Sequence, residues 1–96
     1  MDNISKELHA FLVKMGYEGV EHEYEHKMEH LVALLDVSDE EDLTHYYGLF
    51  GEPRQSLDEI ARLRTKSPEQ TLADIEKSIR KLAVTPEWQM MKEQMK

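Results

Sequence analysis

Three histidines, His22, His26 and His30, recur at successive helical turns within "EHEYEHKMEHL", with Glu23 and Glu29 beside them. Two imidazoles one turn apart can hold zinc or nickel. Here the face is mostly charged and no fourth ligand is evident, so no structural metal site is expected. The competing reading is a solvated, pH-sensitive face, because three close imidazoles resist simultaneous protonation. His45 lies one turn from Asp42, which makes no triad, and no serine sits in a nucleophile motif. No glycine-rich loop cradles phosphate. The absence of cysteine removes disulfides, thiolate metal sites and a cysteine nucleophile. The expectation is a protein that is not an enzyme and takes no cofactor.

The remaining chemistry is charge. Residues 1–52 carry three basic and thirteen acidic side chains, whereas residues 53–82 carry seven basic and five acidic ones, in a chain of net charge −8. An acidic front half repels a phosphate backbone and the second half can approach one.

Ninety-six residues imply one domain with one modest core. Its first apolar stretch, "LHAFLVKM", is interrupted by His9 and Lys14 and is too short to span a bilayer, so no membrane association and a cytoplasmic location are expected.

Start signals divide the chain into six helices, and no alternating run is long enough for a strand. Asp2 or Asn3 caps the first, with Ile4, Leu8, Phe11, Leu12 and Met15 as its stripe and Gly16 as its stop. The second runs from Glu21 to about Leu35, crowding Met28, Leu31, Val32, Leu34 and Leu35 at its end. "SDEE", starting at Ser38, reads as a capping box for a helix carrying Leu43, Tyr46 and Tyr47. "SLDE" at Ser56, "SPEQ" at Ser67 and "TPEW" at Thr85 open three more. Pro68 takes the first helical position, where a missing N–H costs nothing. The Ser67 helix bears Leu72, Ile75, Ile79 and Leu82. The last bears Trp88, Met91 and Met95, and with Met90 either packs back or presents a partner surface.

The middle of the chain, "YYGLFGEPRQSLDEIA" (residues 46–61), resembles the region-four domain of bacterial sigma factors, the C-terminal promoter-reading domain. Members of that family commonly show Tyr-Gly-Leu, a Gly-Glu-Pro turn, and then a Thr/Ser-Leu-x-Glu-Ile-Ala helix. The flanks "MEHLVALLDVSDEEDLTHYYGL" and "SPEQTLADIEKSIRKL" are similar to the family's leucine-rich helix and recognition helix, extending the resemblance over residues 28–82. It implies an all-α bundle containing a helix-turn-helix. Residues 1–27 would form an N-terminal helix and loop, and residues 83–96 a short C-terminal helix. It covers one domain of such factors, so a complete sigma factor is not expected.

What the resemblance implies for binding divides in two. The Ser67 helix would enter the DNA major groove, with Arg54, Arg62, Arg64 and Lys66 on the backbone and Ser67, Glu69 and Gln70 toward base edges. The departures matter: the family's three gripping arginines fall at Pro68, Gln70 and Leu72, and its Leu-Gly-Val turn becomes Arg64, Thr65, Lys66. The second implied surface cups the RNA polymerase beta-subunit flap, and its residue types are better kept, at Leu31, Leu34, Leu35, Leu43, Tyr46 and Phe50. The expected function is therefore transcription-associated, through weak promoter DNA binding, polymerase contact, or both. The alternative is a mimic that binds the flap or a sigma-directed partner and no DNA.

Overall fold

The computed structural model describes residues 1–95 and is all-helical over them: α1 (Asn3–Tyr17), α2 (His22–Val32), α3 (Val37–Tyr47), α4 (Leu57–Arg64), α5 (Pro68–Ala83) and α6 (Pro86–Gln94). Lys96, the last residue of the 83–96 segment, lies outside the described residues. None of the described helices is long and apolar enough to cross a membrane.

Local chemistry explains most of the boundaries. Asp2 accepts the Ser5 N–H, Ser56 the Glu59 N–H, Ser67 the Gln70 N–H and Thr85 the Trp88 N–H, each satisfying a donor left orphaned in a first turn. Three expectations fail. The second helix, expected to run to about Leu35, ends at Val32, with Leu34 in the turn beyond it. Ser38 does not cap α3; the cap is Asp36, in extended backbone and without a side-chain cap bond, and Ser38 lies inside the first turn. Leu35, at the end of the α2–α3 turn, is buried. Gly16 does not stop α1. The chain turns out at Gly19, whose φ of 84° is the left-handed geometry that glycine tolerates.

Gly16 has a different task. A Cβ there would collide with the Tyr47 carbonyl oxygen and lie 2.9 Å from Arg54 Nη2. The glycine lets α1 cross the C-terminal end of α3 at backbone distance.

α5 is the axis of the molecule, touching α1, α3, α4 and α6, while α6 also packs against α2. One apolar cluster draws on both ends of the chain: Leu8, Leu12 and Met15 from α1 meet Ile75, Ile79 and Leu82 from α5, with Trp88 and Met91 from α6. The N-terminal helix is thus part of the core. Ile4, expected at the head of the α1 stripe, is 48% exposed, and Ser5 takes the buried position. Leu49, between helices, is a core residue that no periodicity signals. Ion pairs between Asp2 and Arg80 (2.8 Å) and between Glu7 and Lys92 (3.4 Å) tie α1 to the later helices.

Trp88 lies against Phe11 with ring centroids 5.6 Å apart. Its buried indole N–H has no acceptor among the described residues. An unpaired donor costs about 1–3 kcal/mol. Burying an indole removes about 150–250 Å² from water, worth more than that at about 25 cal/mol per Å².

Candidate functional site: a neutralised turn and an open apolar groove

The residues with DNA-binding potential cluster around the α4–α5 turn, and most of them are already engaged. Thr65 caps α4 at φ 57°, and the Lys66 N–H returns to the Ala61 carbonyl at 3.0 Å. The left-handed residue and this closing bond end α4 without the glycine usual there. α5 starts at once, and the chain makes two capped helices with a tight joint.

Arg64 turns back onto α3. Its Nε donates to Asp42 Oδ1 at 3.0 Å, and its Nη2 donates to Glu41 Oε2 at 3.0 Å and to the Ser38 carbonyl at 3.3 Å. The hydrogen bond to Asp42, ahead of the one to Glu41, raises its pKa above the ordinary arginine value. Lys66 donates to Asp74 Oδ2 at 2.8 Å, and that bond raises the lysine and lowers Asp74. Gln70 donates through Nε2 to Asp74 Oδ1 at 2.9 Å. Its side chain therefore serves Asp74 and does not point free from the helix. The resulting cleft between α3 and α5 is lined by Asp36, Asp39, Lys66, Asp74, Lys77 and Lys81, a mixture of both signs.

Arg54 is engaged too. Its Nη2 donates to the Tyr47 carbonyl at 2.9 Å, and its guanidinium carbon lies 3.7 Å from the Tyr17 ring centroid, a cation–π contact. Of the basic candidates only Arg62 is exposed with no hydrogen bond, ion pair or cation–π contact among the described residues. Ser67 is spent as a cap, and Glu69 is exposed in the first turn of α5. A carboxylate there complements the helix dipole but repels a phosphate.

The six residues assigned to the flap surface do not share one face. Leu31, Leu35 and Leu43 are buried, and Tyr46 and Phe50 are half-buried. Tyr46 instead lines a separate hollow with His9, Tyr47 and Arg54. There the His9 Nδ1 and the Tyr47 hydroxyl lie 2.6 Å apart, bonded in either tautomer. Burial pushes the Tyr47 phenol pKa up, so it stays neutral.

Leu34 is different. It is 57% exposed and, with the edge of Leu31, faces Met90 and Met91 of α6 across a groove of about 500 Å³. Met90 is 65% exposed. Lys27, His30, Glu87 and Gln94 form the polar rim, and Lys27 Nζ donates to Gln94 Oε1 at 2.6 Å across it. Leu34 lies in the turn beyond α2 and Met90 lies off the α6 stripe; only the packing of α6 on α2 brings them together.

No family model, curated protein or solved structure matches this chain.

Proposed function

We propose that this chain is a protein-interaction module of the sigma region-four kind, acting in transcription by docking a partner element in the α2–α6 groove rather than by reading DNA. The observation that carries the choice is the internal neutralisation of the α4–α5 turn. Arg64 and Lys66 would have to give up carboxylates at 2.8–3.0 Å before gripping a phosphate. Gln70 would have to leave Asp74 before reading an adenine edge. With Glu69 in the first turn of α5 and a net charge of −8, approach to a duplex is disfavoured further.

The partner side is supported by the resemblance over residues 28–82 and by the groove itself. Leu34, in the turn after α2, and Met90, on α6, are large, apolar and exposed on opposite sides of the groove, an arrangement that can receive the apolar face of an amphipathic helix. The polymerase flap tip is the occupant that the resemblance implies, through Leu31 and Leu34, the two of its six residues that line this groove. The acidic front half favours a partner with basic edges.

The deciding experiment pairs a gel-shift titration, at low and physiological salt, with an affinity measurement on the flap fragment. The expected result is flap binding that Leu34→Ser weakens, with no duplex retained at physiological salt. Salt-resistant, sequence-selective DNA binding by the wild type would return the promoter-reading hypothesis to first place. Absence of flap binding at tens of micromolar would remove the flap as occupant.

A further inference from the structure

We propose that His26 and His30 form a two-imidazole clamp for a borderline divalent cation such as Zn²⁺, Ni²⁺ or Cu²⁺. Both side chains are exposed on α2. Their Nε2 atoms lie 3.3 Å apart, and the rings meet edge to face with centroids 4.7 Å apart. Two neutral imidazoles at this separation have two choices. One donates its N–H to the other, which needs opposite tautomers, or both lone pairs converge on a cation. Zinc–nitrogen bonds of about 2.0–2.1 Å at the tetrahedral angle put two ligating nitrogens about 3.3–3.4 Å apart. The spacing of the two nitrogens therefore matches the edge of a coordination tetrahedron.

His22 is not part of it. Its ring runs nearly parallel to that of His26, at 22°, with centroids 6.4 Å apart. No group of three or more His, Asp or Glu side chains suited to a metal occurs among the described residues. The cation would keep water, or a partner's side chain, in its remaining positions. This is an open surface site, and it does not revive a closed structural one.

The donor set selects the cation class. Imidazole suits zinc, nickel and copper, whereas magnesium and calcium demand oxygen ligands. Glu25 and Glu29, adjacent in sequence to His26 and His30, add negative potential that draws a cation to this face. Joining positions one turn apart also staples α2, so a metal that binds only the folded helix stabilises it. Because His30 also lines the α2–α6 groove, the cation would sit beside that groove.

The test uses the untagged full chain and zinc alone, by titration calorimetry and thermal melting. Saturable one-to-one binding and a rise in Tm with zinc are expected. His26→Gln and His30→Gln should each lower affinity about 100-fold or more, the loss of a second ligand held on the same scaffold. His22→Gln should leave it nearly unchanged, and so should His45→Gln. Binding should weaken at acid pH, since only a neutral imidazole donates to a metal. All substitutions are at exposed or half-exposed helix positions, and circular dichroism checks that helix content is kept. No saturable zinc binding by the wild type would overturn the proposal. So would binding that survives either clamp substitution, or an equal loss in His22→Gln.

Discussion

At the α4–α5 turn, charged and polar side chains meet carboxylates from other parts of the chain; along the α2–α6 groove, two large apolar side chains stay open to solvent. In sequence the two regions suggest the reverse. Residues 53–82 look like a basic surface and the leucines of α2 look like interior. Folding brings Asp42 and Glu41 from the acidic front half onto Arg64, while Asp74 takes Lys66 and Gln70. It buries Leu31 and Leu35 and leaves Leu34 between them on the outside. Charge summed along a segment is not charge presented by a surface.

The largest way to break this contrast is to remove what holds α6 in place. Trp88→Ala should destabilise the chain by about 3–5 kcal/mol, the range for losing a buried aromatic. Folded domains have only about 5–15 kcal/mol in total, so denaturant unfolding should show a severely weakened fold and the groove should vanish with it. Trp88→Phe should keep most of the stability, because it removes an N–H that has no partner.

Next comes Gly16→Ala, on the turn's side of the molecule. Its methyl group would strike the Tyr47 carbonyl, a backbone atom that cannot swing aside. The expected cost is about 1–3 kcal/mol, the range for overpacking, read as a lower denaturation midpoint. A neutral result would mean that α1 and α3 can separate freely.

Releasing the turn's cations sharpens the comparison directly. Asp42→Asn should cost at most about 1 kcal/mol, since the pair with Arg64 is partly solvated and screened. Combined with Glu41→Gln and Asp74→Asn, it removes the carboxylates that hold Arg64 and Lys66. The triple variant should gain weak, sequence-independent DNA affinity, with a log–log salt slope steeper by about 0.9 for each new phosphate contact. An unchanged slope would show that neutralisation is not what keeps DNA away.

Two carboxylates, one of them at the turn, set a pH dependence. Asp74 and Asp2 have lowered pKa values, held down by the Lys66 hydrogen bond and by the Ser5 backbone N–H respectively. A lowered carboxylate contributes stability that is full above its unfolded value and is lost as pH falls through the folded one. Melting temperature should therefore drop below about pH 4, and the drop should be shallower in Asp74→Asn. Lys66 has the opposite sign: its contribution is lost as pH rises through its raised value.

The smallest expected effect is on stability at the groove. Leu34→Ser and Met90→Gln should each change it by no more than about 0.5 kcal/mol, as for ordinary surface positions. An exposed apolar residue that stabilised the monomer substantially would belong to the core, and the contrast between the two regions would collapse.

How far the sequence was legible follows the range of the interactions. The caps at Ser56, Ser67 and Thr85 were readable because each bond spans three residues. The joint after Arg64 was readable as a break, but the residue that makes it, left-handed Thr65, carries no turn signal. The start of α3 was not readable from Ser38 because its cap, Asp36, makes no side-chain cap bond that a capping-box pattern could signal. Gly16 looked like a helix stop because its neighbour across space, Tyr47, is distant in sequence. The partners of Arg64 lie 22 and 23 residues away, beyond any periodicity. Whether that turn belongs to a DNA reader is a separate question from its geometry, and the gel-shift answers it.

Trp88 is the one tryptophan of the chain, buried against Phe11 where α6 meets α1. All indole emission therefore comes from a single, dry position that neither solvent nor an ionic quencher reaches in the folded state. Its fluorescence reports whether α6 stays packed in the core. A ligand seated on Leu34 and Met90 would leave that signal in place, whereas detachment of α6 would shift it red and open it to quenching. The molecule thus carries its own optical probe for separating occupancy of its groove from loss of the wall that forms it.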